Sequence, residues 1–265
     1  MRAALFALML LFPSLAHELL AASAAGAATT EEIFAVYAHG DYEQAARLGE
    51  AAHTAAGYAI AARAVLADAV LRDTPCMSCL LRAEKLSRQA IVLDPHYAYG
   101  QIWLAVSLGY QSRILGPIRS RLKDTPNQSK VALNLAFTAD STNAYAISAL
   151  GGWHIEVVRA GGAFLANHVY GATEAQGISM FDLAVKTDPA NVAVHYQIAL
   201  SLAGFEAEKY HARIIAELRA AASNTANTAY EKKIQTRATE LLGLLNQGAH
   251  DAFDLRVRKY QGFPD

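Results

Sequence analysis

A 265-residue chain with only two cysteines, a formal net charge of −1 and no long apolar run beyond its first residues is excluded from several classes of protein at once. Near-neutral charge gives no bulk electrostatic pull on a polyanion, so no nucleic-acid role is expected. Charged residues recur after the N-terminal segment and leave no stretch of the ~20 apolar residues that a helix needs to cross a bilayer. Neither a second Cys-x-x-Cys nor a His-x-x-x-His accompanies Cys76 and Cys79, so a zinc site lacks two ligands. Leu80, where covalent haem attachment needs histidine, excludes that group too. No cofactor and no metal are expected.

The two cysteines retain three readings. In an exported protein the expected state is a short disulfide between Cys76 and Cys79, because oxidising compartments form them readily; free thiols are one alternative, and a redox pair is the chemically sharper one because a helix N-terminus lowers a thiol pKa. No strand precedes the motif, so the βαβ setting of a thioredoxin-like pair is missing.

The N-terminus supplies the compartment. Met1 to Ala16 reads MRAALFALMLLFPSLA, one arginine followed by an apolar run too short for a membrane span. The small-residue stretch AASAAGAA then offers cleavage sites near Ala24 to Ala28. Residues 1–28 are therefore expected to be a signal peptide, with an uncleaved amphipathic anchor as the alternative. Export is implied, to the periplasm if the source is a Gram-negative bacterium.

What remains is rich in apolar residues, 53% of the chain, arranged in helical stripes broken at regular places. The clearest break is AIVLDPHYAYGQIWLAVSL, from Ala90 to Leu108; AFTADSTNAYAISALGGWH from Ala136 and AVKTDPANVAVHYQIALSL from Ala184 repeat it. Proline lacks an amide hydrogen and clashes with the preceding turn, so one helix stops before Pro95 or Pro189 and the next begins after it. Pro95, Ser141 and Pro189 mark joints 46 and 48 residues apart. Small residues precede each joint at matching offsets: Ala83 and Ala90, Ser129 and Ala136, Gly177 and Ala184. This pattern resembles the tetratricopeptide (TPR) helix-turn-helix, lengthened from its usual ~34 residues by insertions at about 113–125 and 159–172. The expected fold is an all-α, TPR-like solenoid of antiparallel helix pairs over 29–249, with a C-terminal tail at 250–265 that caps the last helix or frays.

Three sets of residues carry the functional expectation. In TPR geometry the second and fifth positions of each first helix face the concave groove, which selects Tyr99, Ile102, Tyr145 and Tyr196. The first insertion gathers Arg113, Arg119, Arg121 and Lys123, either a solvated basic face or a site for an anionic ligand. Trp153, His154 and Glu156 follow the glycine pair Gly151-Gly152, whose cost to a helix of about 1 kcal/mol each calls for close helix or ligand approach. Trp153 and Glu156 join the partner-binding set; core packing around a satisfied histidine is the other reading. No nucleophile or second base is spaced to act with His154, so catalysis is not expected.

From Leu150 onward the chain also resembles the regulator-of-microtubule-dynamics family of animal TPR-like proteins, through Leu150, Gly151, Trp153, Glu156 and Val157, the Phe181–Pro189 joint, and EKKIQTRATELL at 231–242. That resemblance implies a helical TPR-like fold and binding rather than catalysis. Its microtubule and mitochondrial associations do not carry over to an exported chain. The functional expectation is a periplasmic scaffold for a protein or peptide. The alternative is a small-molecule-binding accessory of an envelope uptake system, the two insertions closing over one end of the groove.

Overall fold

Side-chain caps start most of the helices, and the three joints are built alike. The computed structural model describes residues 28–72 and 75–264, and the expected signal peptide falls almost wholly outside them. Among the described residues the protein is all-helical: α1 (Thr30–His39), α2 (Tyr42–Ala51), α3 (Ala55–Leu71), α4 (Met77–Leu93), α5 (Ala98–Leu122), α6 (Thr125–Ala139), α7 (Ala144–Leu165), α8 (Glu174–Thr187), α9 (Val192–Glu206), α10 (His211–Ser223), α11 (Ala229–Asn246) and α12 (His250–Tyr260). A π-helical turn, Ala166–Tyr170, follows α7. Thr29 opens α1 with a capping box closed by Glu32, and Thr228 opens α11 in the same way with Glu231.

Helices end at Asp94, Asp140 and Asp188 with φ/ψ of −147/98, −148/92 and −141/81, and restart after Tyr97, Asn143 and Asn191 at −75/103, −79/104 and −75/102. The same joint therefore forms with serine in the place of proline. Aspartate is common to all three: Asp94 and Asp140 each accept from the backbone amide two residues on, at 2.9 and 3.0 Å, whereas Asp188 accepts from the Asn191 side-chain nitrogen at 2.9 Å. This side-chain turn breaks a helix whether or not proline follows.

Between the joints α3 packs on α4, α5 on α6, α7 on α8 and α9 on α10 as hairpins. Alternate helices also touch, α3 on α5, α5 on α7, α7 on α9 and α9 on α11. The small residues that precede the joints are buried as the pattern requires, Ala83, Ala90, Ala136 and Ala184 completely. The chain then closes on itself: α11 returns to meet α1 and α3. Arg237 on α11 donates to the Val70 and Leu71 carbonyls at 3.0 and 2.8 Å, satisfying the C-terminal end of α3. Its guanidinium lies over the Tyr260 ring, 4.3 Å from the centroid.

Residues 250–260, expected as a tail, form α12 against α9 and α11. Phe253, Val257 and Tyr260 supply its buried face at a spacing of three to four residues. Cys76 and Cys79 sit at the head of α4 with their sulfurs at disulfide-bonding distance and Cα atoms 5.3 Å apart. None of the described helices is long and apolar enough to cross a membrane.

Candidate functional site

Three groups of packed apolar residues divide the interior, one around α1–α4, one around α7–α12 and one around the ends of α5–α7. Where they meet lies a cavity of about 800 Å³, walled by the inward faces of α3, α5, α7 and α9 and by the C-terminal residues. That volume is in the range of pockets for small organic molecules.

Both insertions reach this cavity by one device. The last turns of α5 and α7 are severed from the rest by Gly116 (φ 75, ψ 168) and Gly162 (φ 75, ψ 158), a backbone region essentially reserved for glycine. Gly116 and Gly162 lie 46 residues apart, the spacing of the first two joints. Beyond each kink the chain turns across the mouth: Pro117, Ile118 and Arg121 line it from α5, Leu165, Ala166 and Tyr170 from the segment after Gly162. Ile118 is 79% exposed even though it borders the cavity, and Leu122 and Phe164, which do not line it, are 81% and 76% exposed.

Two polar clusters mark the ends of an otherwise apolar wall. The first surrounds Arg63 of α3, whose guanidinium carbon lies 4.6 Å from the Tyr37 ring centroid, 5.4 Å from Trp103, and 5.5 Å from both Phe34 and Tyr145. It donates to the Tyr145 hydroxyl at 3.4 Å. No carboxylate lies within ion-pair distance of it among the described residues. Burial pushes the Tyr37 hydroxyl up to about 12, against the opposing pull of Arg63, so it stays protonated.

The second cluster lies farther along α5 and α7. Arg159 grips Glu156 through two hydrogen bonds, 2.6 and 3.1 Å, and Arg113 stands 3.9 Å from the same carboxylate. Burial alone would raise the Glu156 carboxyl, yet Arg113 and the Arg159 hydrogen bonds hold it below the usual range. Arg113 also donates to the Gln261 carbonyl at 2.8 Å, and Arg113, Arg159 and Arg258 all stack on the Phe263 ring. The C-terminal residues are thereby clasped against the cavity. Across the lining, five arginines face one carboxylate among the described residues.

Of the expected groove residues, Ile102 and Tyr145 line the cavity, as do Trp153 and Glu156. Tyr99 does not line it; its ring stacks 6.3 Å from that of Trp103, which does. Tyr196 departs from the groove reading: α11 and α12 cover its side of α9, leaving it 1% exposed within the core, and Ala193 and Gln197 take the cavity face. The basic insertion divides as well. Arg113 turns inward to Glu156, whereas Arg119, Arg121 and Lys123 are all exposed, Arg121 at the edge of the cavity.

The glycine pair splits by direction. A Cβ on Gly151 would lie 2.7 Å from the Phe181 ring and 2.9 Å from the Gly177 carbonyl of α8; one on Gly152 would meet nothing within 4 Å and would point into the cavity. Trp153 donates to the Pro126 carbonyl at 2.9 Å, tying α7 to the start of α6. His154 is a core histidine: its Nδ1 accepts from the Thr173 amide at 3.3 Å, and burial, helped by the Lys130 charge, lowers its pKa to about 4. His195 is buried against Glu217 at 2.5 Å with its other nitrogen on the Pro189 carbonyl at 2.9 Å. Burial works against its charge, but these two bonds raise its pKa. Both ring nitrogens are occupied in this pair, leaving none for proton transfer to a substrate. No cluster of three or more metal-ligating side chains occurs among the described residues.

Arg63 and Phe263 belong to the site but escape sequence reasoning. Arg63 had one signal, its isolation as the sole cation of the alanine-rich α3. Compared with known protein families and with curated proteins, the chain matches none.

Proposed function

We propose that this chain is a non-catalytic binding protein that takes up a small, mainly apolar ligand inside a TPR-like superhelix closed by its own last helices. The observation that carries this is the convergence of both kinked insertions and the inward faces of α3, α5, α7 and α9 on one cavity of about 800 Å³. An open peptide groove would leave the inner helix faces uncovered, whereas here the bent extensions of α5 and α7 and the C-terminal Gln261 and Phe263 stand against them. If the N-terminal segment directs export, the natural setting is capture or handover of the ligand in the cell envelope, as an accessory of uptake.

The scaffold reading draws its support from a different place, the exposed Ile118, Leu122 and Phe164 of the insertions. Native mass spectrometry of protein purified without detergent separates the two. A bound species of a few hundred daltons, lost on unfolding, supports the ligand-binding reading. Bare protein that also fails to bind any apolar small molecule, while retaining a polypeptide partner, supports the scaffold.

A further inference from the structure

Of the five arginines on the cavity wall, Arg121 and Arg258 are exposed and Arg113 and Arg159 stand beside Glu156; Arg63 is the one drawn in from solvent with no carboxylate at ion-pair distance among the described residues. A guanidinium offers five N–H donors in a planar fork, and the protein meets them only with neutral hydroxyls, Tyr145 at a long 3.4 Å and Tyr37. A cation withdrawn from water without a partner anion is costly, and aromatic faces compensate only in part. Four rings hold this one in place without neutralising it. The far cluster differs, because a carboxylate stands there: Glu156 pairs with Arg159 at 2.6 Å and lies 3.9 Å from Arg113, whose Nε makes no hydrogen bond.

The spacing between the clusters defines the shape of an occupant. Trp103 and Arg113 on α5, and Tyr145 and Glu156 on α7, are separated by about 15 to 16 Å along their helices. Between them most of the wall is apolar or open, with Leu66 and Val70 on α3, Val106 and Gly109 on α5 and Ala149 and Gly152 on α7, and Ser148, Gln197 and Ser201 are its polar interruptions. We infer that the occupant is a monocarboxylic acid with a long apolar body, and that Arg63 holds its carboxylate beside the Tyr145 hydroxyl while the body runs along α5 and α7 toward the insertions. This rests on the cavity reading above. A single planar guanidinium matches a carboxylate monoanion in a two-point grip; a phosphate dianion would leave one charge unanswered at this end.

The test is calorimetric titration of the protein, freed of co-purifying lipid, with dodecanoate, its methyl ester and dodecyl phosphate. The native protein is expected to bind the acid more tightly than the ester by roughly 10- to 100-fold, the effect of one charge-assisted pair. Arg63→Met, which keeps the apolar stem among the rings, is expected to bring the acid to the ester's affinity and leave the ester's unchanged. A purely structural Arg63 would lower the melting temperature of the variant but leave acid and ester equal in the native protein. That equality overturns the inference without touching the cavity reading, and needs no variant to fold. Tighter binding of dodecyl phosphate than of dodecanoate would also overturn it, assigning a phosphate instead. If neither acid nor ester binds, the cavity reading falls and the inference with it.

Discussion

Adjacent glycines on α7 do opposite work. Gly151 lets α8 approach so closely that any side chain would enter the Phe181 ring, so Gly151→Leu should destabilise by about 1 to 3 kcal/mol through overpacking. Gly152 faces open space, and Gly152→Ala should be neutral or stabilising by up to about 1 kcal/mol from helix propensity. Thermal melts of the two variants check this, and equal melting temperatures would contradict the packing described for α7. His154 makes a second prediction. Its folded pKa, about 4, lies below the ordinary 6.5, so its contribution is fully present above about pH 6.5 and is lost as pH falls toward 4. The loss should amount to about 2 to 3 kcal/mol. His195 has the opposite sign: its raised pKa gives stability that is full below pH 6.5 and lost as pH rises through the folded value. His154→Asn, whose side-chain oxygen can still accept from the Thr173 amide, should flatten the acid side of a stability–pH profile measured by urea unfolding. An unchanged acid limb would mean that His154 is not the group responsible. The direction of Gly152 was legible in the sequence, because a helix turns about 100° per residue and the repeat places Gly151 against its hairpin partner. Arg63 was not, because its surroundings come from α1, α5 and α7, and no local pattern records a contact between four helices.

At the scale of elements, the joints were the most legible feature of the chain, since a turn is decided by the few residues that form it. Yet the residue common to them is aspartate, and the proline that draws the eye is dispensable at Ser141. The kinks at Gly116 and Gly162 were less legible, because both read as insertions between helices when they are helical extensions bent by one residue. At φ near +75° and ψ near 160° an alanine is strained by about 1 to 3 kcal/mol. Gly116→Ala and Gly162→Ala should each destabilise by that amount or straighten the extension away from the mouth. Limited proteolysis checks the second outcome: cleavage should begin within residues 117–124 or 163–170, ahead of any cut elsewhere. Melting temperatures and cleavage patterns identical to the unaltered protein would show that the glycines do not hold the extensions in place.

For the whole molecule, the decisive feature is closure. A stack of hairpins presents an open concave face for as long as its ends stay apart; here Arg237 and the approach of Gly40 to Ala229 bring α11 back to α3 and α1, and the concave face becomes the wall of a chamber. The all-helical class and the hairpin order could be read from periodicity. Closure could not, because it depends on the sum of small rotations between successive pairs and on contacts between Val70 and Arg237, 167 residues apart. This is why the three groove tyrosines part company: Tyr145 lines the chamber, Tyr99 stacks against Trp103 without lining it, and Tyr196 is in the core. The central claim, that the chamber is a binding site, is tested most directly by Gly152→Trp, which projects an indole into the chamber from a position with no neighbour within 4 Å of the added Cβ. Titration with the neutral fluorophore N-phenyl-1-naphthylamine, alongside thermal melts, should show saturable 1:1 binding to the native protein and its loss in a Gly152→Trp variant that still melts cooperatively. No binding to the native protein, or undiminished binding to the folded variant, would contradict the account.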